Sequence, residues 1–214
     1  IKVGLGPVIV DLLERGRLAA VAMNGACLVH DFELAWGGKT SEDVGPGLDQ
    51  GTFGMAQETG EFINRATREG VARGFGLGRA VGEAIIRARL RFRRTSILAA
   101  CVRTGVPATI HVAIGTDIIH MHPSADGASI GEGSLRDFRQ LAAVVAHEIR
   151  NPLAALQSRA ERAQEDLRAG GDPQRVAELL EAIPLEVHRL ARIVTNYLSR
   201  ARGTGGDGTC AVLH

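Results

Sequence analysis

The 214-residue sequence predicts an α/β N-terminal region followed by an all-α antiparallel hairpin that would dimerise into a four-helix bundle. Three observations carry this reading. Two short, nearly continuous apolar runs, residues 18–23 and 108–114, read as buried parallel strands among helical stretches. From Ser134 onward the apolar residues recur at steps of three and four along two long stripes. Between the stripes stands Gly170-Gly171-Asp172-Pro173, a stop followed by a cap and a proline suited to a first helical turn. The boundaries that result are 1–133 for the α/β region, 134–202 for the hairpin and 203–214 for a glycine-rich tail.

The elements follow in order. Residues 7–15 have helical spacing and stop at Gly16; the run 18–23 is the first strand, Asn24-Gly25 breaks it, and a helix restarts near Cys27. A strand, a glycine turn and a helix present a ligand site at the strand's carboxyl end. Residues 37–60 form a polar connection containing Gly37-Gly38-Lys39-Thr40. A phosphate-loop reading fails there, because Glu33 stands where that loop needs its first glycine. Residues 54–104 read as largely helical, with a turn at Gly74-Phe75-Gly76-Leu77-Gly78. Arg87, Arg89, Arg91, Arg93 and Arg94 form a basic run on the next helix, read as a solvated face or subunit contact. After the second strand, His120 and His122 would share a face if the strand continued, yet nothing supplies a third ligand, so no metal site is expected.

In the first long helix the stripe runs Leu135, Phe138, Leu141, Val145, Ile149, Leu153, Leu156, Ala160, Ala163 and Leu167. The second carries Val176, Leu179, Ile183, Val187, Leu190, Val194 and Leu198, with Pro184 as an interruption that should kink it. One hairpin buries its stripe poorly alone, which is why a homodimer through 134–202 is expected.

Composition narrows the classes of function. Charged residues make up 23% and the net charge is +1, so no bulk field points to nucleic acid or an acidic partner. Aromatics are 4%, leaving the core to Ala, Val, Leu and Ile. Three widely spaced cysteines, Cys27, Cys101 and Cys210, suggest a reducing compartment, and a cytoplasmic location is expected. No apolar run is long enough to span a membrane. With Ile1 rather than methionine in front, the chain reads as a fragment.

The most specific stretch is HEIRNPLAAL, residues 147–156. His147 lies two residues from both Val145 and Ile149, off the apolar stripe and towards solvent. An exposed imidazole is available as nucleophile or proton carrier, and Glu148 can hold one ring nitrogen to fix its tautomer. Pro152 should bend the helix just after the histidine. A zinc-protease reading fails, because Asn151 stands where HExxH needs its second histidine. The ten residues resemble the phosphoacceptor box of sensor histidine kinases. That resemblance implies that His147 takes the phosphoryl group from ATP, which would be held by a catalytic domain outside this chain. It also implies Glu148 as acid/base partner, Asn151 as a positioner of the γ-phosphate and of water in the reverse reaction, and a response-regulator receiver domain as partner.

Three N-terminal stretches, LGPVIVDLLERG, AMNGACLVHDFELAWGGKTSEDV and PATIHVAIGTDIIHMHPSADGASIG, resemble deoxyhypusine synthase and its bacterial relatives. The resemblance covers about residues 1–145. It implies a Rossmann-like, NAD-binding fold, usually tetrameric, that transfers an aminobutyl group from spermidine. It places Asn24, Gly25 and Ala26 near NAD, keeps Asp31 at an acidic position, and matches Asp117 to a cofactor contact. His30 replaces a glutamate of the polyamine site. No lysine follows Lys39, so these residues do not complete the family's transfer. The two resemblances meet at residues 141–146 without a polar linker. Two readings stay open: a genuine fusion whose first region is a ligand sensor, or a truncated or chimeric joining.

Overall fold

The computed structural model describes residues 1, 3–40, 57–201 and 211–213, with side chains described as far as residue 195. The connection 41–56, the side chain of Leu198, and the tail residues 202–210 with Cys210 lie outside the described residues. Two compact units result: one runs from Ile1 to Leu141 and takes in the last strand, and the other begins at Ala142.

In the first unit, α1 (Gly6–Glu14) carries proline in its first turn, where the missing N–H costs nothing. Strand β1 (Ala20–Asn24) leads directly into α2 (Gly25–Gly37). Asn24 is the hinge between them: its side chain accepts the Cys27 N–H at 2.9 Å, a cap that contributes about 1 kcal/mol. Helices α3 (Gln57–Ala72), α4 (Leu77–Arg87) and α5 (Ile97–Thr104) follow, and then β2 (Ala108–His111) and a 3₁₀ turn (Ile118–Met121). Next come α6 (Gly127–Arg168), α7 (Pro173–Ala201) and β3 (Ala211–Leu213).

The sheet has the order β2-β1-β3. β1 and β2 are parallel, in register from Val21↔Ala108 to Asn24↔His111, and β3 is antiparallel to β1. Leu13, Leu28, Phe32, Ile63, Leu77, Ile85, Ile97, Leu98 and Ile110 are fully buried around the parallel pair. Each contributes roughly 1.5–3 kcal/mol by leaving water.

Five expectations change. The described residues give the α/β reading its parallel pair, but the unit is mostly helical. Among the described residues it lacks the broad parallel sheet that a Rossmann-like fold implies. Only two stretches of the region are apolar enough to be buried strands, and the second ends at His111 rather than Ile114. The arginine run is not helical beyond Arg87: α4 stops there, Arg89 takes φ +51°, and residues 91–94 are turns. In the tail, residues 211–213 form a strand.

The fifth change concerns the boundary. α6 begins at Gly127, with Asp126 accepting the Ala128 and Ser129 N–H groups, rather than at Ser134. Its first turns belong to the first unit, which ends at Leu141 rather than 133. Three contacts account for this. A Cβ on Gly133 would lie 2.6 Å from the Leu77 side chain, Arg136 donates to the Val71 carbonyl at 2.7 Å, and Asp137 is fully buried.

Candidate functional site

The second unit is a helical hairpin made of α6 from Ala142 onward and α7. Gly170, at φ +65°, ends α6, and Asp172 accepts the Gln174 N–H at 2.9 Å to start α7. Asp166 and Arg175 pair across the connection at 3.2 Å, and Arg159 and Glu186 approach to 4.0 Å further along. Val145, Pro152, Ala163 and Val176 are buried. Both helices run through their prolines, Pro152 and Pro184.

The apolar stripes divide into two edges. Leu153 and Leu167 on α6, fourteen residues apart, remain exposed. On α7, Leu180, Val187 and Val194 recur at intervals of seven and are also exposed. A seven-residue apolar repeat is the spacing that seats one helix against another. The sequence stripes join Leu153, Leu167, Val187 and Val194 to the inward residues and omit Leu180, because steps of three and four do not separate adjacent edges of one face.

His147 is exposed on α6, and among the described residues neither of its ring nitrogens has a hydrogen-bond partner. Asn151 is exposed one turn further on, on the same side of the helix. Glu148 is half-buried and does not bond to His147. The expected tautomer-fixing contact is therefore not formed. Consecutive side chains diverge by about 100° around a helix, so they do not face each other.

At the carboxyl end of the sheet, the structure brings together some of the N-terminal candidates. Gly25 and Asp117, 92 positions apart in sequence, are in contact: a Cβ on Gly25 would lie 1.9 Å from Asp117 Oδ2. Burial raises the Asp117 pKa, and His120 opposes that rise. Asn24 is occupied in capping α2, and Ala26 is exposed. His30 lies 3.4 Å from Glu33.

Asp31 turns away into the protein. Its carboxylate accepts the Ser96 hydroxyl at 2.6 Å and the Ile97 and Leu98 N–H groups at 2.7 and 3.1 Å. Burial pushes its pKa up, while these bonds hold it down. Asp31 thus anchors the start of α5 and is not available to a ligand. Of the six N-terminal candidates, Gly25 and Asp117 meet, whereas Asp31 is bonded to the start of α5.

His120 and His122 do not share a strand face, because the chain forms a 3₁₀ turn there. His120 accepts the Gly115 N–H, and His122 pairs with the Ser124 hydroxyl. Among the described residues no group of three or more His, Cys, Asp or Glu side chains is placed to hold a metal ion. Nor is any described helix long and apolar enough to cross a membrane. Cys101 is buried and its thiol is pushed up to about 12, which leaves it unreactive.

Sequence reasoning missed two polar residues. His111 ends β2 opposite Asn24 and bonds the buried Thr109 hydroxyl at 3.0 Å, and burial lowers its pKa. Asp137 is the other, a carboxylate set between Leu135 and Phe138 on the helix that closes the first unit. An acid inside an apolar stripe is the signal that could have found it.

Comparison with known families places the hairpin. Residues 139–206 match the His Kinase A (phospho-acceptor) domain. The match contains His147, Glu148 and Asn151 and begins close to the boundary between the two units. It supports a histidine-kinase phosphoacceptor module in this part of the chain. No curated protein and no solved structure matches the chain.

Proposed function

We propose that the hairpin is the phosphoacceptor and dimerisation module of a two-component signalling protein, with His147 as the acceptor. One ring nitrogen attacks the γ-phosphorus of ATP held by a kinase catalytic domain. An N–P bond forms, the bond to the departing ADP breaks, and the phosphoryl group then passes to an aspartate of a response regulator. The observation that carries this reading is the His Kinase A match over 139–206. Within it, His147 is exposed and both ring nitrogens are unengaged among the described residues. Glu148 is the acid/base group at the site of transfer, and Asn151 positions the phosphate. The second copy covers the exposed edges at Leu153, Leu167, Leu180, Val187 and Val194.

The test is labelling by a supplied kinase catalytic domain with γ-labelled ATP. The chain acquires an acid-labile phosphate and His147→Gln does not. Equal labelling of both proteins would sink the reading.

A second reading, a ligand pocket of the deoxyhypusine-synthase type, is favoured by one observation. Gly25 and Asp117, from two of the stretches that carry that resemblance, meet at the carboxyl ends of β1 and β2. Because Asp31 is engaged elsewhere, NAD is the ligand to test rather than to assume. Absence of binding in an equilibrium titration of the folded chain would count decisively against it.

A further inference from the structure

We propose that Trp36 and the arginine-rich turn after α4 form a binding surface for single-stranded nucleic acid, in which a base stacks on Trp36 and Lys39, Arg89, Arg91 and Arg94 hold the phosphates.

The turn is docked beside Trp36. Phe92 N–H donates to the Ala35 carbonyl at 2.9 Å, and a Cβ on Gly38 would lie 3.0 Å from the Phe92 ring. These two contacts lay residues 89–94 over the C-terminal end of α2, where Trp36 and Lys39 stand. Arg93 shapes the turn by donating to the Arg89 and Leu90 carbonyls, and Arg91 lies over the Phe92 ring at 5.1 Å. Arg89 holds a positive φ, uncommon for a residue with a side chain.

The charge here is local. Elsewhere in the first unit many arginines face a carboxylate: Arg15 with Asp11, Arg79 with Glu83, Arg87 with Glu69, Arg103 with Glu14. Among the described residues Lys39, Arg89, Arg91 and Arg94 have no carboxylate partner, and all four are exposed. A net charge of +1 therefore conceals a concentrated basic patch.

The rings give the patch its selectivity. Phe62 and Phe32 stack at 4.4 Å, and Phe32 and Trp36 lie 6.4 Å apart at 8°, nearly parallel. Phe32 is buried, whereas Trp36 is 45% exposed. This column starts in the core and ends in a rigid indole open to solvent. An unpaired base can extend such a stack, and bases in a duplex cannot. Membrane binding would need several apolar side chains to insert, but Leu90 and Phe92 in the turn are half-buried.

Trp36 is the chain's single tryptophan, so its emission reports the contact directly. The full chain is titrated with an oligouridylate of about 12 nucleotides, a length within ordinary single-strand site sizes. Saturable quenching is expected, with affinity falling steeply as salt rises. The triple variant Arg89→Ala, Arg91→Ala, Arg94→Ala should bind at least about tenfold more weakly, with Trp36 still present as probe. Trp36→Ala, followed by anisotropy of a labelled oligonucleotide, should lose roughly 5- to 100-fold. The proposal is overturned by absence of quenching in the folded chain, or by full affinity in the triple variant. It is equally overturned if a duplex of the same length or polyglutamate binds as tightly. Binding to phosphatidylserine-containing vesicles, with blue-shifted emission and in preference to the oligonucleotide, would assign the patch to membranes instead.

Discussion

Asp137 on α6 accepts the main-chain N–H of Ile110 on β2 at 2.7 Å, and the same oxygen accepts the Gly78 N–H at the start of α4 at 3.0 Å. One side chain therefore joins a helix N-terminus, the end of a strand and the helix that carries His147. Its other oxygen, Oδ1, is buried without a partner among the described residues.

This arrangement predicts an unusual pH dependence. Burial raises the Asp137 pKa from 3.8 to about 6, against its bonds to Ile110, Gly78 and Leu77. Between those two values the folded protein holds a proton that the unfolded chain has released. The contribution to stability is thus complete below the unfolded value and is lost as pH rises through the folded one. The two limits differ by about 3 kcal/mol. Asp137→Asn does not titrate, so urea melts at several pH values should show the stability difference between variant and parent changing by up to about that amount from pH ~4 to ~7. His111, whose lowered pKa acts in the opposite direction, is common to both proteins and cancels in the comparison. A constant difference across that range would refute this role for Asp137.

Close packing predicts a ranking of glycine substitutions. A Cβ on Gly78 would lie 2.1 Å from the Ala108 carbonyl oxygen, and a Cβ on Gly25 would lie 1.9 Å from Asp117 Oδ2. The first obstacle is strand backbone; the second is the end of a half-buried side chain that can rotate away. Gly78→Ala should destabilise by roughly 1–3 kcal/mol, and Gly25→Ala by less. Thermal melts of the two variants check the order, and the reverse order would show that Asp117 is held more rigidly than its exposure suggests.

The same contacts show what could be read from the chain and what could not. Helix and strand positions followed from apolar periodicity, because burial acts on each residue where it stands. Asn24 as the turn between strand and helix was readable from local chemistry, and so was the exposure of His147. The partners of Asp31 were not legible, because they lie 65 to 67 positions away, at Ser96, Ile97 and Leu98. Asp137 was missed for the same reason: no local pattern announces a carboxylate that closes a tertiary junction. The split of the hairpin stripe into inward and exposed edges depended on the helix pairing, which a single helix's periodicity does not contain.

Glu148 offers a test of chemistry separable from fold. It is half-buried and makes no hydrogen bond among the described residues, so Glu148→Gln should leave stability within about 0.5 kcal/mol. As acid/base partner of His147, it should slow labelling by a supplied kinase domain by roughly 10²- to 10⁴-fold. Single-turnover labelling beside a thermal melt separates the two effects. Unchanged labelling at unchanged stability would remove Glu148 from the mechanism and leave His147 as acceptor.

The exposed edges of the hairpin lead to a prediction about assembly. Leu180, Val187 and Val194 repeat every seven residues on α7, and Leu153 and Leu167 lie fourteen apart on α6. If a second copy covers them, each buried aliphatic contributes roughly 1.5–3 kcal/mol to association. Val187 is at the centre of its row, so Val187→Asp would place a carboxylate in the middle of the contact without touching the residues buried inside one hairpin. Burying that charge unpaired carries a penalty of several kcal/mol. The variant should therefore sediment as a monomer at concentrations where the parent is a dimer, with association weakened at least 100-fold, about 2.7 kcal/mol. Its helical content should be retained, because Val187 is 48% exposed before any partner arrives. Leu185→Asp is the control: Leu185 is 72% exposed and stands off the seven-residue row, so its replacement should leave the dimer intact. Dimers in both variants would move the interface to another face of the hairpin.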